Sequence, residues 1–565
     1  MKKRRCWVKK TLRISIAQIN CTVGDLDGNA KKIIEYLRKA KALGADIVSF
    51  PELAVTGYPP EDLLLKEAFV ADNLEALKRV ARTVNEITAI VGFVDKAGRD
   101  LYNAAAVIYK GEIKGICHKE LLPNYGVFDE KRYFKPGKDS KIFSLGNFIF
   151  GVNICEDIWH TEGPICAQSA LGAKLIININ SSPYHAGKVK EREQIVRNQA
   201  KANNVIISYT NLVGGQDELV FDGQSMVVDN AGKVMARAEA FREDIIAVDV
   251  DINADGPILS TKAIVVAEKY APAVKGPIVK KDVRPMEPAA EIYNALTLGL
   301  KDYTDKNSFK KCVIGLSGGI DSALVAALAR DAIGKDNVLG VFMPTRYSSR
   351  QSEVDAKEVA FNLGIKFNII SIEHIYKLYL MSLEPQFAAA PKDITEENVQ
   401  ARIRGNVLMA LSNKFGYLVV TTGNKSEMST GYATLYGDMA GGFAVIKDVP
   451  KTLVYRLAEY RNSVGKAIPE SVIRRAPTAE LKPDQKDQDT LPPYDILDRI
   501  LKEYVEEDKG YAEIAAMGFN KDVVAGIINM VDRSEYKRRQ SPPGIKITPK
   551  AFGRDRRMPI TNKYK

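Results

Sequence analysis

The sequence predicts an α/β protein made of two successive layered units. Short apolar segments of strand length alternate with longer segments of helical periodicity in both halves of the 565-residue chain, and this alternation favours helices packed on sheets. Residues 254–284 interrupt the alternation with several prolines and glycines, which is typical of a linker. We therefore predict a basic extension over residues 1–11, a first domain over 12–253 and a second domain over 285–565.

The first domain contains two segments with helical periodicity and eight apolar segments of strand length. The spacing of apolar residues expected of helices occurs in GNAKKIIEYLRKAKALG and VKEREQIVRNQAKANN. The apolar segments of strand length are RISIAQIN, ADIVSF, AAAVIYK, FIFGVNIC, AKLIININ, NVIISYT, SMVVDN and IIAVDVD. Because strands and helices alternate early, we expect a layered α/β arrangement.

The second domain begins with a predicted helix, MEPAAEIYNALTLGLKDYTDK, and continues as a strand, a glycine-rich turn and a helix in KCVIGLSGGIDSALVAALARDAIG. Further strands are predicted in NVLGVFMP, KFNIISI and GYLVVTTGNKSE, with the helix SRQSEVDAKEVAFNLG between the first two. This order predicts a second, parallel sheet. Residues 475–494 are polar and rich in proline, so we expect a mobile loop there, followed by a helical tail.

Composition limits the classes of function. Six cysteines are scattered without metal-ligand spacing, which argues against a disulfide framework or a zinc site and favours a reducing cytoplasm. Only four histidines are present, so chemistry based on histidine general bases is poorly supplied. The net charge of +11 suits anionic small substrates as well as nucleic acid. We expect no membrane span, and no signal-peptide core follows the basic N-terminus.

The segment GLSGGIDSA, residues 315–323, is the strongest local motif. A buried strand enters a glycine-rich turn that opens a helix, and such turns bring backbone N–H groups and the helix N-terminus close to an anion. The lysine of a Walker A loop is missing. Asp321 would repel a phosphate unless a cation lies between them, so we infer Mg²⁺ at this position. The predicted ATP-binding loop comprises Gly315, Leu316, Ser317, Gly318, Gly319, Ile320, Asp321 and Ser322.

This loop resembles the SGGxDS motif of the N-type ATP pyrophosphatases. The resemblance implies a Rossmann-like adenine nucleotide α-hydrolase fold with a parallel sheet. It also implies chemistry in which the pyrophosphate portion of ATP is held and released, leaving an adenylated substrate. The motif is specific to the superfamily and leaves the substrate open.

Three chemically capable side chains follow predicted strands in the first domain. Glu52 lies in SFPEL, Lys119 in CHKELLP and Cys155 at the end of FIFGVNIC. Active sites of α/β sheets collect at the carboxyl ends of strands. A carboxylate can accept the thiol proton, and an ammonium can stabilise a thiolate and an oxyanion. Taken singly, the cysteine is better explained as a buried filler, and the two charges as surface charges or a structural ion pair.

The flanking sequences resemble the nitrilase, or carbon–nitrogen hydrolase, superfamily, whose catalytic triad is Glu–Lys–Cys. FPEL, KELLP and NICEDIW match it around Glu52, Lys119 and Cys155, and FDEKRYFKPG matches it around Glu130. The resemblance implies an α-β-β-α sandwich, Cys155 as nucleophile and Glu130 as a second glutamate that positions the lysine and the substrate.

A nitrilase-like domain followed by a pyrophosphatase domain resembles the family of glutamine-dependent NAD synthetases. ENVQARIRGNVLMALSN, TTGNKSEMSTGYATLYGDMAGGFAVIKDV, APTAELKPDQKDQDTLPPYD and EYKRRQSPPG are similar to segments of that family. The resemblance implies amidation of deamido-NAD, with ATP, Mg²⁺ and ammonia transferred from glutamine between the domains. The residues it assigns are Tyr125, Ser182 and Lys188 to glutamine, Thr422 to ATP, Asn398, Glu427 and Lys537 to deamido-NAD, and Asp321 and Glu427 to the metal.

Other interpretations remain open at this point. Arg402 and Arg404 can meet the dinucleotide phosphates or simply be solvated. The substrate can differ, as in an amidoligase making GMP or asparagine. An RNA-modifying adenylase would use the basic surface for tRNA and would want a sulfur-carrying cysteine, for which Cys312 is the candidate. A non-catalytic scaffold is disfavoured because every matched catalytic position is occupied. We expect small-molecule substrates, no nucleic-acid or membrane partner, and, from the family, a homo-oligomer.

Overall fold

The computed structural model describes residues 11–251, 262–268, 270, 275–278, 281, 283–388, 390–483 and 485–564. The predicted extension over residues 1–11 therefore lies outside the described residues except for Thr11, as does much of the predicted linker. The chain divides into two compact units, one formed by residues up to 285 without 217–220 and the other by residues 217–220 and from 286 onwards.

The strands of the first part of the chain are β1 (Thr11–Gln18), β2 (Ile47–Ser49), β3 (Thr88–Ala97), β4 (Asp100–Tyr109), β5 (Glu112–His118), β6 (Ile142–Leu145), β7 (Phe148–Ile154), β8 (Leu175–Asn180), β9 (Ile206–Asn211), β10 (Val213–Gln216), β11 (Leu219–Asp222), β12 (Met226–Val228), β13 (Val234–Arg237), β14 (Asp244–Asp251) and β15 (Ile264–Ala267). The helices are α1 (Leu26–Ala42), α2 (Glu67–Ala81), α3 (Pro164–Ala170) and α4 (Lys188–Asn203).

Two sheets stack face to face in the first unit. One has six strands in the order β14-β1-β2-β3-β4-β5, and the other has seven in the order β13-β12-β9-β8-β7-β6-β15. The centre of each sheet is parallel, through β1, β2 and β3 in the first and β7, β8 and β9 in the second. Helices α1 and α2 contact the six-stranded sheet, and α3 and α4 contact the seven-stranded sheet. The predicted α-β-β-α sandwich is confirmed.

The core between the sheets is built from side chains that alternate along the strands. Leu12, Ile14 and Ile16 of β1 meet Phe150 and Val152 of β7 in one buried cluster. Burial of such side chains contributes roughly 1.5–3 kcal/mol each relative to exposure. The strand ends beside this core are therefore held rigidly, which positions the residues that follow them.

Strand β15 was not predicted. It lies within residues 254–284, which composition alone marks as a linker, and it pairs in parallel with β6 at the edge of the seven-stranded sheet. Four residues are too few to show a periodicity, and the neighbouring glycines and prolines hide the strand in the sequence.

The second part of the chain forms strands β16 (Cys312–Gly315), β17 (Val338–Phe342), β18 (Lys366–Ile369), β19 (Leu418–Thr421) and β20 (Phe443–Ala444). Its helices are α5 (Pro288–Lys306), α6 (Ile320–Ile333), α7 (Arg350–Leu363), α8 (Glu373–Phe387), α9 (Ile394–Phe415), α10 (Lys425–Thr430), α11 (Lys451–Val464), α12 (Glu470–Arg474), α13 (Tyr494–Leu501), α14 (Tyr511–Ala516), α15 (Lys521–Arg533) and α16 (Glu535–Arg538).

The five strands form one parallel sheet in the order β18-β17-β16-β19-β20. The chain runs outward from β16 in one direction and then returns to β19 on its other side, so the strand order reverses at β16. Ligands of open α/β sheets bind outside the carboxyl ends of the strands at such a reversal. The glycine-rich turn follows β16 at this place, and the predicted parallel sheet is confirmed.

Helix α6 covers the sheet directly behind that turn. Its sequence IDSALVAALARDAI is apolar on nearly every face, and ten of its residues are buried, as expected of a helix enclosed on several sides. It contacts α5, α7 and α11 in addition to the sheet. No helix in the described ranges has the length and apolar character needed to cross a bilayer.

Candidate functional site

Three strand ends in the first unit carry the predicted triad. Glu52 follows β2, Lys119 follows β5 directly and Cys155 follows β7 directly, and all three side chains are buried. The Lys119 ammonium lies 2.8 Å from Glu52 Oε1. The charges of Glu52 and Lys119 both act on the pKa of Cys155, so the thiol is within electrostatic reach of the pair. The structure thus brings together three residues that lie far apart in the sequence.

Glu130 joins the same cluster from a short 3-10 turn, Glu130–Arg132. Its Oε1 accepts a hydrogen bond from Lys119 Nζ at 2.8 Å and another from the Tyr58 hydroxyl at 2.9 Å. Lys119 is therefore held between the carboxylates of Glu52 and Glu130. Tyr58 was missed, because nothing in its local sequence indicates a partner 72 residues away.

Glu52 is fixed on both oxygens. Asn103 Nδ2 donates to Oε1 at 2.7 Å, and the Ser181 N–H donates to Oε2 at 2.8 Å. The carbonyl of Asn103 also accepts the backbone N–H of Lys119 at 2.8 Å. One residue of β4 thereby orients both the carboxylate and the lysine, a role that sequence reasoning missed.

Electrostatics explain the protonation states of the cluster. Burial alone would lower the pKa of Lys119, but the carboxylates of Glu130 and Glu52 outweigh it and raise that pKa well above its ordinary value. Burial, reinforced by the charge of Glu52, raises the pKa of the Cys155 thiol well above its usual range. The resting cluster therefore contains a charged ammonium and a neutral thiol, and the thiol needs a base to become a nucleophile.

Cys155 also adopts a strained backbone. Its φ is 45°, in the left-handed region that costs a non-glycine residue about 1–2 kcal/mol. The strand β7 ends there and a tight 3-10 turn, Cys155–Ile158, begins. Such strain persists only where the surroundings hold the residue, and it is concentrated at functional sites.

The three residues predicted for glutamine lie around this cluster. Tyr125 is 58% exposed and its hydroxyl donates to the carboxylate of Glu156 at 3.0 Å. The backbone N–H of Ser182 donates to Asn211 Oδ1. Lys188 opens α4 and lies 4.0 Å from the centre of the Trp159 ring.

Tyr125 and Lys188 both lie within electrostatic reach of Cys155. Burial of the Tyr125 hydroxyl raises its pKa and burial of Lys188 lowers the pKa of that ammonium, and a thiolate at Cys155 would act on both groups. Glu156, directly after Cys155 and buried beside Tyr125, was not assigned a role from the sequence. A cation, hydroxyls and a carboxylate are thus available near the thiol for an amino-acid head group.

The second cluster surrounds the glycine-rich turn after β16. A cavity of about 300 Å³ is lined by all eight residues of the predicted loop, from Gly315 to Ser322, and by Thr422 and Glu427. Ser322 Oγ accepts the N–H of Ser317 at 3.2 Å, which closes the turn on itself. Gly318 has φ +82°, and a Cβ there would lie 2.3 Å from the carbonyl oxygen of Ser352. Only glycine fits that position.

Asp321 and Glu427 meet on one side of this cavity. Lys451, the first residue of α11, contacts both carboxylates, that of Asp321 closely and that of Glu427 at 3.4 Å. Burial raises the pKa of Glu427 to about 8, with Lys451 opposing and Asp321 adding to the rise. Sequence reasoning missed Lys451, because it lies 130 residues from Asp321 and its segment carries no phosphate-binding pattern.

The structure does not place Asn398 and Lys537 in the wall of this cavity. Asn398 Oδ1 accepts the Thr434 hydroxyl at 2.8 Å, and Lys537 Nζ donates to the carbonyls of Gly431 and Ala433 at 2.8 and 2.9 Å. Both therefore brace the segment 431–434, of which Ala433 lines the cavity. The polar groups of both side chains therefore already make hydrogen bonds within the protein.

Arg404 and Arg402, whose roles the sequence left open, differ in their position relative to the cavity. Arg404 lines the cavity, its Nε donates to the carbonyl of Met343, and burial lowers its pKa to about 10. Arg402 is exposed and its Nε donates to the carbonyl of Leu435. Arg475 and Glu480, from the predicted mobile loop, pair with each other and also line the cavity.

Fold and sites together define a class: an α-β-β-α unit of carbon–nitrogen hydrolase type joined to a nucleotide-binding unit with a parallel sheet. Comparison with known families agrees, since residues 13–256 match carbon-nitrogen hydrolases and residues 292–541 match NAD synthase.

Relatives that match this chain over nearly its whole length identify its family. A protein of Thermotoga maritima named glutamine-dependent NAD(+) synthetase is 50% identical over 581 aligned residues, with 98% of this chain and 99% of that protein covered. One of Aquifex aeolicus with the same name is 47% identical, with 98% and 100% covered. The structure of glutamine-dependent NAD+ synthetase from Acinetobacter baumannii with adenosine diphosphate is 44% identical, covers 98% and 99% of the chains and superposes with a TM-score of 0.76. The chain belongs to the glutamine-dependent NAD(+) synthetase family.

Proposed function

We propose that this protein is a glutamine-hydrolysing NAD synthetase. It amidates deamido-NAD to NAD with ATP and glutamine, giving AMP, pyrophosphate and glutamate. The observation that carries the proposal is that one chain holds both the buried Glu52–Lys119–Glu130 cluster beside Cys155 and a phosphate-loop cavity. The first domain is assigned to residues 12–253 and the second to 285–565, which the division of the chain near residue 285 supports.

In the hydrolase unit, Glu52 acts as the general base and takes the proton of the Cys155 thiol as sulfur attacks the glutamine amide carbon. Lys119 stabilises the tetrahedral oxyanion with its ammonium, and Glu130 holds Lys119 in place. The proton passes from Glu52 to the leaving nitrogen, so ammonia departs and a glutamyl thioester remains. Water, deprotonated by Glu52, then attacks the thioester, releasing glutamate and restoring the thiol.

Glutamine is held by Tyr125, Ser182 and Lys188. The positive charge of Lys188 and the hydroxyls of Tyr125 and Ser182 suit the α-carboxylate of an amino acid. Glu156, which already accepts from Tyr125, supplies a negative charge for the α-ammonium. A free amino acid is thereby recognised at both charged groups of its head.

In the synthetase unit, the turn from Gly315 to Ser322 cradles the phosphates of ATP, with the N-terminus of α6 behind it. Thr422, directly after β19, lies on the adenosine side of the same cavity. Lys451 and Arg404 add positive charge to the cavity wall. Cleavage between the α- and β-phosphates, with pyrophosphate as the leaving group, agrees with a loop that lacks the Walker lysine.

Mg²⁺ would be held by Asp321 and Glu427. Their carboxylates converge at one position that a cation, the Lys451 ammonium, already contacts, and oxygen donors suit this metal. In the described part of the chain no group of three His, Cys, Asp or Glu side chains could hold a metal by itself. The remaining ligands would therefore be phosphate oxygens of the nucleotide. When bound, the metal neutralises the phosphate charge that builds up during transfer.

The nicotinate carboxylate of deamido-NAD attacks the α-phosphorus of ATP, and pyrophosphate leaves. Ammonia from the first unit then attacks the activated carbonyl, and AMP leaves as NAD forms. Asn398, Glu427 and Lys537 are assigned to deamido-NAD, the first and last through the segment 431–434 that they brace. Closure of the loop over residues 475–494 would keep water away from the adenylate.

The exposed apolar face of α8 supports a homo-oligomer. Leu378, Tyr379 and Met381 expose 63%, 46% and 66% of their surface, and a contiguous apolar patch on one helix suits association with a second copy. Light scattering of L378D/M381D would then give a smaller assembly than the wild type. We also place the protein in the cytoplasm, because every cysteine in the described ranges is a free thiol.

The experiment that tests the function supplies deamido-NAD, ATP, Mg²⁺ and glutamine labelled with ¹⁵N in the amide. The account predicts labelled NAD with AMP, pyrophosphate and glutamate in equal amounts. Xanthosine monophosphate and aspartate serve as competing acceptors and should remain unreacted. Amidation of either one, without labelled NAD, would replace the proposed substrate, as would adenylation of tRNA in a parallel reaction.

A further inference from the structure

Asp157 lies two residues after Cys155, in the 3-10 turn that follows β7, and it is 1% exposed. Its carboxylate accepts three backbone hydrogen bonds. Oδ2 accepts the N–H of Ile154 at 3.0 Å, while Oδ1 accepts those of Leu121 at 2.9 Å and Glu120 at 3.1 Å. No role in the proposed mechanism uses this side chain.

These three bonds join two catalytic segments. Ile154 is the residue immediately before Cys155, and Glu120 and Leu121 are the two immediately after Lys119. One carboxylate thus ties the backbone that presents the nucleophile to the backbone that presents the ammonium. Cys155 also needs such support, because its left-handed φ of 45° is unfavourable by itself.

We propose that Asp157 is a positioning residue for glutamine hydrolysis, and that its ionised carboxylate is needed to hold Cys155 and Lys119 in register. The inference rests on the proposed function of the first unit. Asp157 does not touch the substrate; it acts through the backbone of its two neighbours in the cluster. A displacement of about 1 Å between a nucleophile and its partner groups is enough to slow an enzyme about 100-fold.

The charge state of Asp157 makes the role measurable. Burial raises its pKa to about 7, the N–H groups of Ile154 and Leu121 oppose the rise, Lys119 lowers it and Glu120 raises it. Cys117, also facing this carboxylate, stays neutral because its own pKa is raised to about 12 by burial. Below pH 7 the protonated oxygen is a weaker acceptor, and its new hydrogen meets N–H donors and no acceptor among the three backbone partners. Glutamine hydrolysis should therefore weaken as the pH falls through 7.

Stability changes in the opposite direction. A buried acid whose pKa is raised from 3.8 to about 7 favours the folded state fully below pH 3.8, and this contribution is lost as the pH rises through 7. At pH 8 the ionised carboxylate therefore supports catalysis while it costs stability. A residue with a purely structural role would make activity and stability change together.

The test uses the full-length protein in three forms: wild type, Asp157→Asn and Asp72→Asn, the last being an exposed aspartate on α2. We would measure kcat and KM for glutamine hydrolysis between pH 5.5 and 8.5, and NAD synthesis from ammonium in the same samples. For Asp157→Asn we expect kcat at pH 8 to fall at least about tenfold, KM to change less than about threefold, and the decline below pH 7 to disappear. Ammonium-driven synthesis by Asp157→Asn should equal that of the wild type. Asp72→Asn should equal the wild type in both reactions.

A second measurement needs only the wild type. Hydrogen exchange, corrected for the intrinsic pH dependence, should show that at least one of the amides of Ile154, Glu120 and Leu121 loses protection below pH 7. Protection independent of pH, or an Asp157→Asn protein with the kcat and acid decline of the wild type, would overturn the inference. If instead Cys155→Ala still hydrolysed glutamine, the proposed function itself would fail, whatever Asp157 does.

Discussion

The ammonium of Lys119 lies 2.8 Å from Glu52 Oε1, and neither side chain is exposed to solvent. A charge pair this deeply buried is costly to desolvate and is stable only with further partners. Asn103, Ser181 and Glu130 provide them. The cluster is therefore a single electrostatic unit, and removal of its one cation should affect both folding and chemistry.

Lys119→Met tests that unit. The change leaves the carboxylates of Glu52 and Glu130 buried without their ammonium, and we expect a loss of about 3–5 kcal/mol in the free energy of unfolding together with loss of glutamine hydrolysis. Urea unfolding followed by tryptophan fluorescence measures this in the first unit, where Trp159 lies. The control Lys78→Met removes an exposed pair with Glu75 and should change stability by less than about 0.5 kcal/mol. Equal stability of the two variants would contradict the account.

Gly318→Ala tests the phosphate loop. The added Cβ would lie 2.3 Å from the carbonyl oxygen of Ser352 in a left-handed backbone, so the loop must distort. We expect loss of NAD synthesis with either nitrogen donor, while glutamine hydrolysis in the first unit continues. Gly416→Ala, with φ +68° and open space around its Cβ, bears the strain alone and should cost about 1–2 kcal/mol in stability without loss of synthesis. Full synthetic activity in Gly318→Ala would exclude this turn as the ATP site.

Lys451→Met tests the cation shared by Asp321 and Glu427. Without it the two carboxylates lose the ammonium that contacts both of them, and the nucleotide phosphates lose one positive charge of the cavity wall. We expect NAD synthesis from ammonium to fall by at least about 100-fold, which is about 2.7 kcal/mol, and the remaining activity to saturate at a lower Mg²⁺ concentration, because no ammonium competes for the two carboxylates. The exposed Lys414→Met is the matched control. If Lys451→Met had the synthesis rate and the magnesium dependence of the wild type and of Lys414→Met, Lys451 would play no part in the site.

Strand-end residues were predictable from the sequence, whereas their supports were not. Glu52 and Cys155 each follow an apolar strand, Lys119 follows β5, and side chains at the carboxyl ends of strands tend to collect in one site. Asn103 was missed because its partner Glu52 lies on another segment, and Asp157 was missed because its partners are backbone N–H groups. Strand β5 was also not predicted, because its sequence EIKGICH is only partly buried and shows no clear alternation of apolar and polar residues.

In the second unit, too, the sequence predicted a local motif but not the contacts between distant residues. The glycine pattern located the turn after β16, because its geometry depends on local residues alone. Asn398 and Lys537 were expected on a ligand, yet their side chains hold the segment 431–434. Only the three-dimensional path of that segment shows that both residues contact it close to the cavity wall.

The most direct test of the central claim, that sulfur in one unit frees the nitrogen that the other unit fixes, is NAD synthesis by Cys155→Ala with glutamine or ammonium as donor. We expect the variant to lose glutamine-driven synthesis by at least about 1,000-fold, or about 4 kcal/mol, and to keep ammonium-driven synthesis at the level of the wild type. Retention of glutamine-driven synthesis by Cys155→Ala would contradict it.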